Sequence, residues 1–143
     1  MIAHNIMSGK EIVITEIDFD RLSGLLDSPR YRSTHANRLI ALREELDSGT
    51  VVPVDTVPKG IVTMHTQVRV RDLDAEESEA YTLVYPEQAD INEGKLSVLA
   101  PLGMALLGTR VGQVVKFDAP AGRRRLKVQK ILYQPEAVGD FHL

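Results

Sequence analysis

The chain contains no cysteine and no tryptophan. Without cysteine there is no disulfide framework and no thiolate metal site. With aromatic residues at only 5% of the chain, the core has to be built from aliphatic side chains. No apolar run approaches the ~18 residues that mark a membrane-spanning helix, and Met1 to Lys10 has no apolar segment of the secretory-signal kind. A soluble, cytoplasmic protein is expected. An excess of positive charge is missing as well. The formal net charge is −3, and holding nucleic acid by charge alone requires a concentrated basic face.

Chemical motifs are equally sparse. There is no G-x-x-x-x-G-K-[ST] and no G-x-G-x-x-G, so no phosphate cradle is expected. His4, His35, His65 and His142 lie far apart, without H-x-H or H-E-x-x-H spacing. They read as surface or partly buried histidines, and neither a metal nor a cofactor is expected. No serine sits in a nucleophile-elbow context, so a hydrolase triad has no support.

What is present is a change of period along 143 residues. Glu11 to Ile14 reads as one extended strand. Thr15-Glu16-Ile17-Asp18 has the form of a capping box and predicts a helix from Glu16 to Asp27, with Phe19, Leu22, Leu25 and Leu26 on one side. Ser28-Pro29 stops it, and Pro29 to Thr34 reads as a polar link. A second helix is predicted from His35 to Asp47, with Leu39, Leu42 and Leu46 at three- and four-residue spacing and Gly49 as its C′ glycine. Two helices of about 18 Å joined by a short link form an antiparallel hairpin with facing leucine stripes. Such short helices are marginal alone, so docking on the rest of the chain is expected.

Thr50 to Gly60 carries Pro53 and Pro58 among valines and reads as a semi-extended connector. The period then becomes two. Thr66, Val68 and Val70 alternate with Gln67, Arg69 and Arg71, and Glu79 to Tyr85 supplies a partner strand. Leu96 to Gly112 packs a strand, a helix opened by Pro101, and a C-cap at Gly108 into one stretch. Gln113 to Asp118 and Arg124 to Tyr133 are further strands, the last with Leu126, Val128 and Leu132 on one face. The expected organisation is a hairpin (residues 1–50), a connector (51–60) and a sheet domain (61–143). The fold class is α+β: a helical hairpin followed by a bent antiparallel sheet covered by one small helix.

Two charge runs carry competing readings. Asp72, Asp74, Glu76, Glu77 and Glu79 read as a solvated hairpin turn, although paired carboxylates can also hold Mg²⁺. Arg123, Arg124, Arg125, Lys127 and Lys130 form the only dense basic segment. It reads as a charged edge strand or as a contact for nucleic acid or an acidic protein, with strand alternation dividing the charges between two faces.

Leu96 to Gly112 followed by VVKFDAPAG resembles the carboxy-terminal domain of the Gre transcript-cleavage factors. There a strand, an S-P corner, an A-L-L-G helix end and a G-D-x-V strand recur. Here the corner is Ala100-Pro101, the helix end is Ala105 to Gly108, and the turn is Val111 to Val114. VTMHTQVRVRDL (62–73), TLVYP (82–86), LSVLAPLGMALLG and YQPEAVGDF (133–141) further resemble one subgroup, the regulators of nucleoside diphosphate kinase.

The resemblance implies an FKBP-like carboxy-terminal domain and an amino-terminal coiled-coil finger. It also implies docking on RNA polymerase at the rim of the secondary channel, in competition with Gre factors, through Leu99, Ala100, Pro101 and Leu102. In Gre factors, acidic residues at the tip of a much longer finger hold Mg²⁺ and stimulate transcript cleavage. Here the tip, with Asp27, Arg30 and Arg32, carries one carboxylate and two arginines. Binding without cleavage is therefore expected, with any nucleic-acid contact confined to the polymerase complex. Two other functions are weighed beside it. One is a peptidyl-prolyl isomerase using Tyr81 and Phe117. The other is direct regulation of nucleoside diphosphate kinase.

Overall fold

The computed structural model describes residues 12–139. The amino-terminal segment, His4, His142 and the end of the YQPEAVGDF block lie outside the described residues.

The chain opens with β1 (Val13–Thr15) and α1 (Glu16–Leu26). Thr15 caps α1, its side chain accepting from the Asp18 N–H at 3.1 Å. Leu22, Leu25 and Leu26 are buried on the predicted face. The expected polar link is instead a helical turn, α2 (Pro29–Arg32), which Pro29 starts because its fixed φ suits a first turn. Next comes α3 (Ala36–Ser48), with Leu39, Leu42 and Leu46 buried against α1, while Ile40 is 60% exposed on the opposite face. Gly49 is extended rather than left-handed. Its missing side chain instead leaves room for Ile12 and Ile14.

The segment read as connector begins with a strand, β2 (Thr50–Val52), that pairs in parallel with β1. This pairing ties the two ends of the hairpin together. The hairpin base is also fixed to the sheet, because the Val13 N–H donates to the carbonyl of Gly108 at 3.1 Å.

Five strands form the main sheet: β3 (Gln67–Asp72), β4 (Glu77–Val84), β5 (Lys95–Ser97), β6 (Val114–Ala119) and β7 (Gly122–Tyr133), in the order β5-β4-β3-β7-β6. All neighbours are antiparallel except β4 and β5, which run in parallel because two helical turns (Pro86–Gln88 and Ile91–Glu93) reverse the chain between them. The inward face is apolar, with Val68, Val70, Leu83, Val115, Leu126 and Val128 buried. Two register shifts between β3 and β7 change the expected alternation. Ile131 falls opposite Val68, and Leu132, expected inside, is 37% exposed. The strand β7 lies between β3 and β6, so it is not the edge strand that its charges had suggested.

The helix α4 (Pro101–Leu106) lies on this apolar face and buries Leu102 and Leu106. Gly108 follows it with φ +77°, the left-handed position that favours glycine. The hairpin leucines and the inward sheet residues belong to one contiguous apolar core. The hairpin shares its core with the sheet, the support that short helices require.

Candidate docking surface

The corner between β5 and α4 is shaped by Ser97. Its hydroxyl accepts the Leu99 N–H at 3.1 Å and its carbonyl accepts the Ala100 N–H at 3.0 Å. Ala100 then caps α4, its carbonyl accepting from Met104 at 2.9 Å. This turn sorts the four corner residues into two kinds. Leu99 and Leu102 are 2% and 7% exposed and anchor the corner to the core. Ala100 is half-buried and Pro101 is exposed.

The corner therefore presents Pro101 and Ala100 at the surface, with the half-buried Met104 and Ala105 on the next turn. Across from them stands α3. Asn37, Arg38, Ala41 and Glu45 form the second wall of a groove of about 500 Å³, and Lys116, Phe117 and Arg123 close it. The α3 wall was not legible from the leucine stripe, which marks only the buried side of that helix.

The hairpin tip exposes Asp27, Arg30 and Arg32. Between the arginines, Tyr31 is buried, and its hydroxyl donates to Glu87 Oε2 at 2.8 Å. That hydrogen bond raises the Tyr31 pKa. The Arg30 guanidinium lies 5.6 Å from the Tyr31 ring centroid, and the His35 ring meets it edge-on at 5.9 Å. The tip is thus fastened to the turn after β4. Nothing in the two-helix pattern indicated this, because Glu87 reads as an ordinary loop residue.

Near the hairpin base, Asp18 is buried at 3% exposure. Its carboxylate does not return to the Thr15 backbone as a capping box would. It accepts the Met64 N–H at 3.0 Å. Burial pushes its pKa up to about 6, with Glu136 adding to the rise and the hydrogen bonds from Met64 and Thr15 opposing it. Glu136 itself accepts from the Thr63 hydroxyl at 2.7 Å.

The two charge runs meet at the open end of the inward sheet face. Asp72 is buried, accepts the Asp74 and Ala75 N–H groups at 2.9 Å each, and pairs with Arg124. It is therefore not solvated, although Asp74 is exposed and pairs with Arg125 at 2.9 Å. Glu77, Glu79, Tyr81, Leu102 and Phe117 line a cavity of about 300 Å³ beside that pair. Tyr81 donates to Glu79, and burial foremost raises its pKa to about 12. Among the described residues, no group of three or more His, Asp or Glu side chains is disposed to hold a metal ion, and no helix is long and apolar enough to cross a membrane.

Comparison with known proteins extends these observations. Residues 57–133 match the family described as "Transcription elongation factor, GreA/GreB, C-term", and residues 10–52 match "Rnk N-terminus". A "Regulator of nucleoside diphosphate kinase" from Escherichia coli (strain K12) is 38% identical over 138 residues, covering 96% of this chain and all of that protein. A "Transcription elongation factor GreA" from Chloroherpeton thalassium is 37% identical over 95 residues, 66% of this chain and 60% of that one. A solved structure of a GreA/GreB-type elongation factor from Nitrosomonas europaea superposes with a TM-score of 0.70 at 33% identity, covering 87% of this chain and 99% of that one. With both of its parts matched in order and nearly its whole length aligned, the chain belongs to the GreA/GreB-like family, in the group of regulators of nucleoside diphosphate kinase.

Proposed function

We propose that this chain is a non-enzymatic regulator that docks on RNA polymerase near the secondary channel. It competes there with Gre factors without stimulating transcript cleavage, and so alters nucleoside diphosphate kinase levels indirectly. The observation that carries this reading is the hairpin tip. A cleavage factor must deliver a carboxylate pair to a distant Mg²⁺. This tip offers a lone carboxylate, Asp27, followed by the exposed Arg30 and Arg32, and Tyr31 holds it down on Glu87. Arginines beside a lone carboxylate repel a cation.

The docking element is the groove between α3 and the Ala100-Pro101 corner. An apolar floor with a charged rim matches the composition of protein interfaces. Leu99 and Leu102 act from beneath, fixing the corner. The same reading treats residues 1–50 as the hairpin, 51–60 as the connector and 61–143 as an FKBP-like unit, working in the cytoplasm where polymerase is found.

The deciding experiment is a transcript-cleavage assay on stalled elongation complexes, with and without a Gre factor. Inhibition of Gre-stimulated cleavage, with none from this protein alone, supports the reading. Cleavage stimulated by this protein alone overturns it. A stoichiometric complex with nucleoside diphosphate kinase would instead make the regulation direct.

One observation favours a second reading. Tyr81 and Phe117 line the same cavity, as a peptidyl-prolyl isomerase would require. Catalysed isomerisation of a proline peptide that is lost in Phe117→Ala would establish that activity.

A further inference from the structure

The outward face of the sheet gathers positive charge, most of it outside the α3–α4 groove, which Lys116 also borders. The strand β3 turns Val68, Val70 and Asp72 inward, which sends Arg69 and Arg71 outward. The strand β7 turns Leu126 and Val128 inward and sends Arg125 and Lys127 outward, and Lys130 joins them past the bulge. From β6, Lys116 points the same way, since Val115 is buried.

The register sets like against like. Arg71 lies opposite Lys127, Arg69 opposite Lys130, and Lys116 opposite Arg125. Like charges directly across a ladder destabilise a sheet. Arg125 is offset by Asp74 at 2.9 Å. Among the described residues, no carboxylate lies within ion-pair distance of the other five. Six of the chain's 17 lysines and arginines therefore stand together, in a protein whose net charge is −3.

We propose that the outward face of β3, β7 and β6 is a docking surface for the phosphate backbone of duplex DNA. Strand spacing places these cations on a lattice of about 5 by 7 Å, dense enough to face a duplex bearing one charge per ~1.7 Å of axis. The cations are interleaved with Ser78, Ala80, Val114 and Gln129, and Asp118 at the end of β6 is paired with Arg123 at 3.6 Å. Tyr133, opposite Gln67 at the end of β7, is the one aromatic residue bordering them among the described residues, whereas single-stranded binding relies on stacking of successive bases. An acidic protein partner would need a desolvated apolar centre. Here the exposed large apolar side chains of these strands, Val114 at 46% and Leu132 at 37%, stand apart, Val114 lying opposite Lys127, and form no such centre. The contact is sequence-independent, because no side chain on this face is placed to read base edges in a groove.

The test is fluorescence anisotropy with a labelled ~20-base-pair duplex at 25 to 200 mM KCl, using the full chain. Binding at low salt is expected, with log affinity falling against log salt at a slope of about −4.5, which corresponds to neutralising about five phosphates. The double variant Arg71→Glu with Lys127→Glu should bind at least tenfold more weakly at 25 mM and flatten the slope by about two. Lys59→Glu with Arg110→Glu changes the net charge equally away from the face and should bind as the wild type does. If the first variant fails to fold by circular dichroism, Lys127→Gln with Lys130→Gln removes two charges without reversing them and carries the same change of slope. The proposal is overturned by absence of binding at 25 mM, or by equal loss in the control variant. It is also overturned if the single strand binds as tightly as the duplex, or if poly-glutamate binds more tightly than DNA. None of these outcomes depends on polymerase, so they separate this surface from the docking groove.

Discussion

Asp18 and Met64 join the helical hairpin to the sheet: the carboxylate on α1 accepts the Met64 backbone N–H at 3.0 Å in a buried setting. Desolvation wins over that hydrogen bond, and the Asp18 pKa stands at about 6 against an ordinary value of 3.8. Between those values the folded protein holds a proton that the unfolded chain has released. Stability from this residue is therefore fully present below about pH 3.8 and is lost as pH rises through about 6, by an amount on the order of 2–3 kcal/mol. Asp18→Asn keeps a carbonyl acceptor for Met64 and removes the titration. Denaturant unfolding at steps from pH 4 to pH 7.5 should show the wild type losing stability relative to Asp18→Asn across this window. Parallel curves would refute the assignment.

The tip contact makes a separate prediction. Tyr31→Phe keeps the buried ring and deletes only the hydroxyl that donates to Glu87. A hydrogen bond to a carboxylate contributes roughly 1.5–3 kcal/mol at most, and less at a partly exposed edge, so a loss of about 1 kcal/mol is expected. The informative readout is local. Amide exchange across Arg30 to His35 should accelerate while exchange in β3 and β7 stays unchanged, because the substitution frees the tip and leaves the core intact.

The groove is tested at Pro101, the exposed member of the corner. Asp is favoured in the first turn of a helix, so Pro101→Asp should fold normally while placing a charge where an apolar contact is proposed. Retention of polymerase in a pull-down should fall by tenfold or more, which corresponds to about 1.4 kcal/mol. Substituting Leu102 would confuse the result, since that side chain is 7% exposed and holds the core. Wild-type binding by Pro101→Asp would move the interface elsewhere.

Much of this architecture can be read directly from spacing. Leu22, Leu25 and Leu26 with Leu39, Leu42 and Leu46 announce the hairpin, because helical spacing and burial on one side are the same fact. The alternation through Val68 and Val70 announces β3 in the same way. Long-range pairings leave no such trace. The parallel match of Val13 with Thr50 joins strands separated by the whole hairpin, and neither segment carries a local sign of it. The inward turn of Ile131 in place of Leu132 follows from bulges that only the β3–β7 pairing creates. At the candidate site, Pro101 signalled a helix start. That Leu99 and Leu102 turn away from solvent, and that α3 supplies the second wall, depended on how the hairpin packs. Asp18 looked like a capping partner because its true partner, Met64, is distant in the chain.

Two helical glycines give the sharpest test of the packing. In α4, a Cβ on Gly103 would lie 2.0 Å from the Ser97 carbonyl oxygen and 2.9 Å from its carbonyl carbon. Both are backbone atoms at the corner and cannot rotate away. Gly103→Ala must therefore force α4 off β5, even though alanine is the better helix former. Overpacking of this kind costs about 1–3 kcal/mol, and more where backbone is the obstacle. In α1, Gly24 is exposed, and nothing lies within 4 Å of its would-be Cβ. There the same substitution should stabilise by roughly 0.4–1 kcal/mol through helix propensity and a less flexible unfolded chain. Chemical denaturation of the two single variants should give opposite signs. Stabilisation in both would mean that helix propensity, not the approach of α4 to Ser97, governs Gly103.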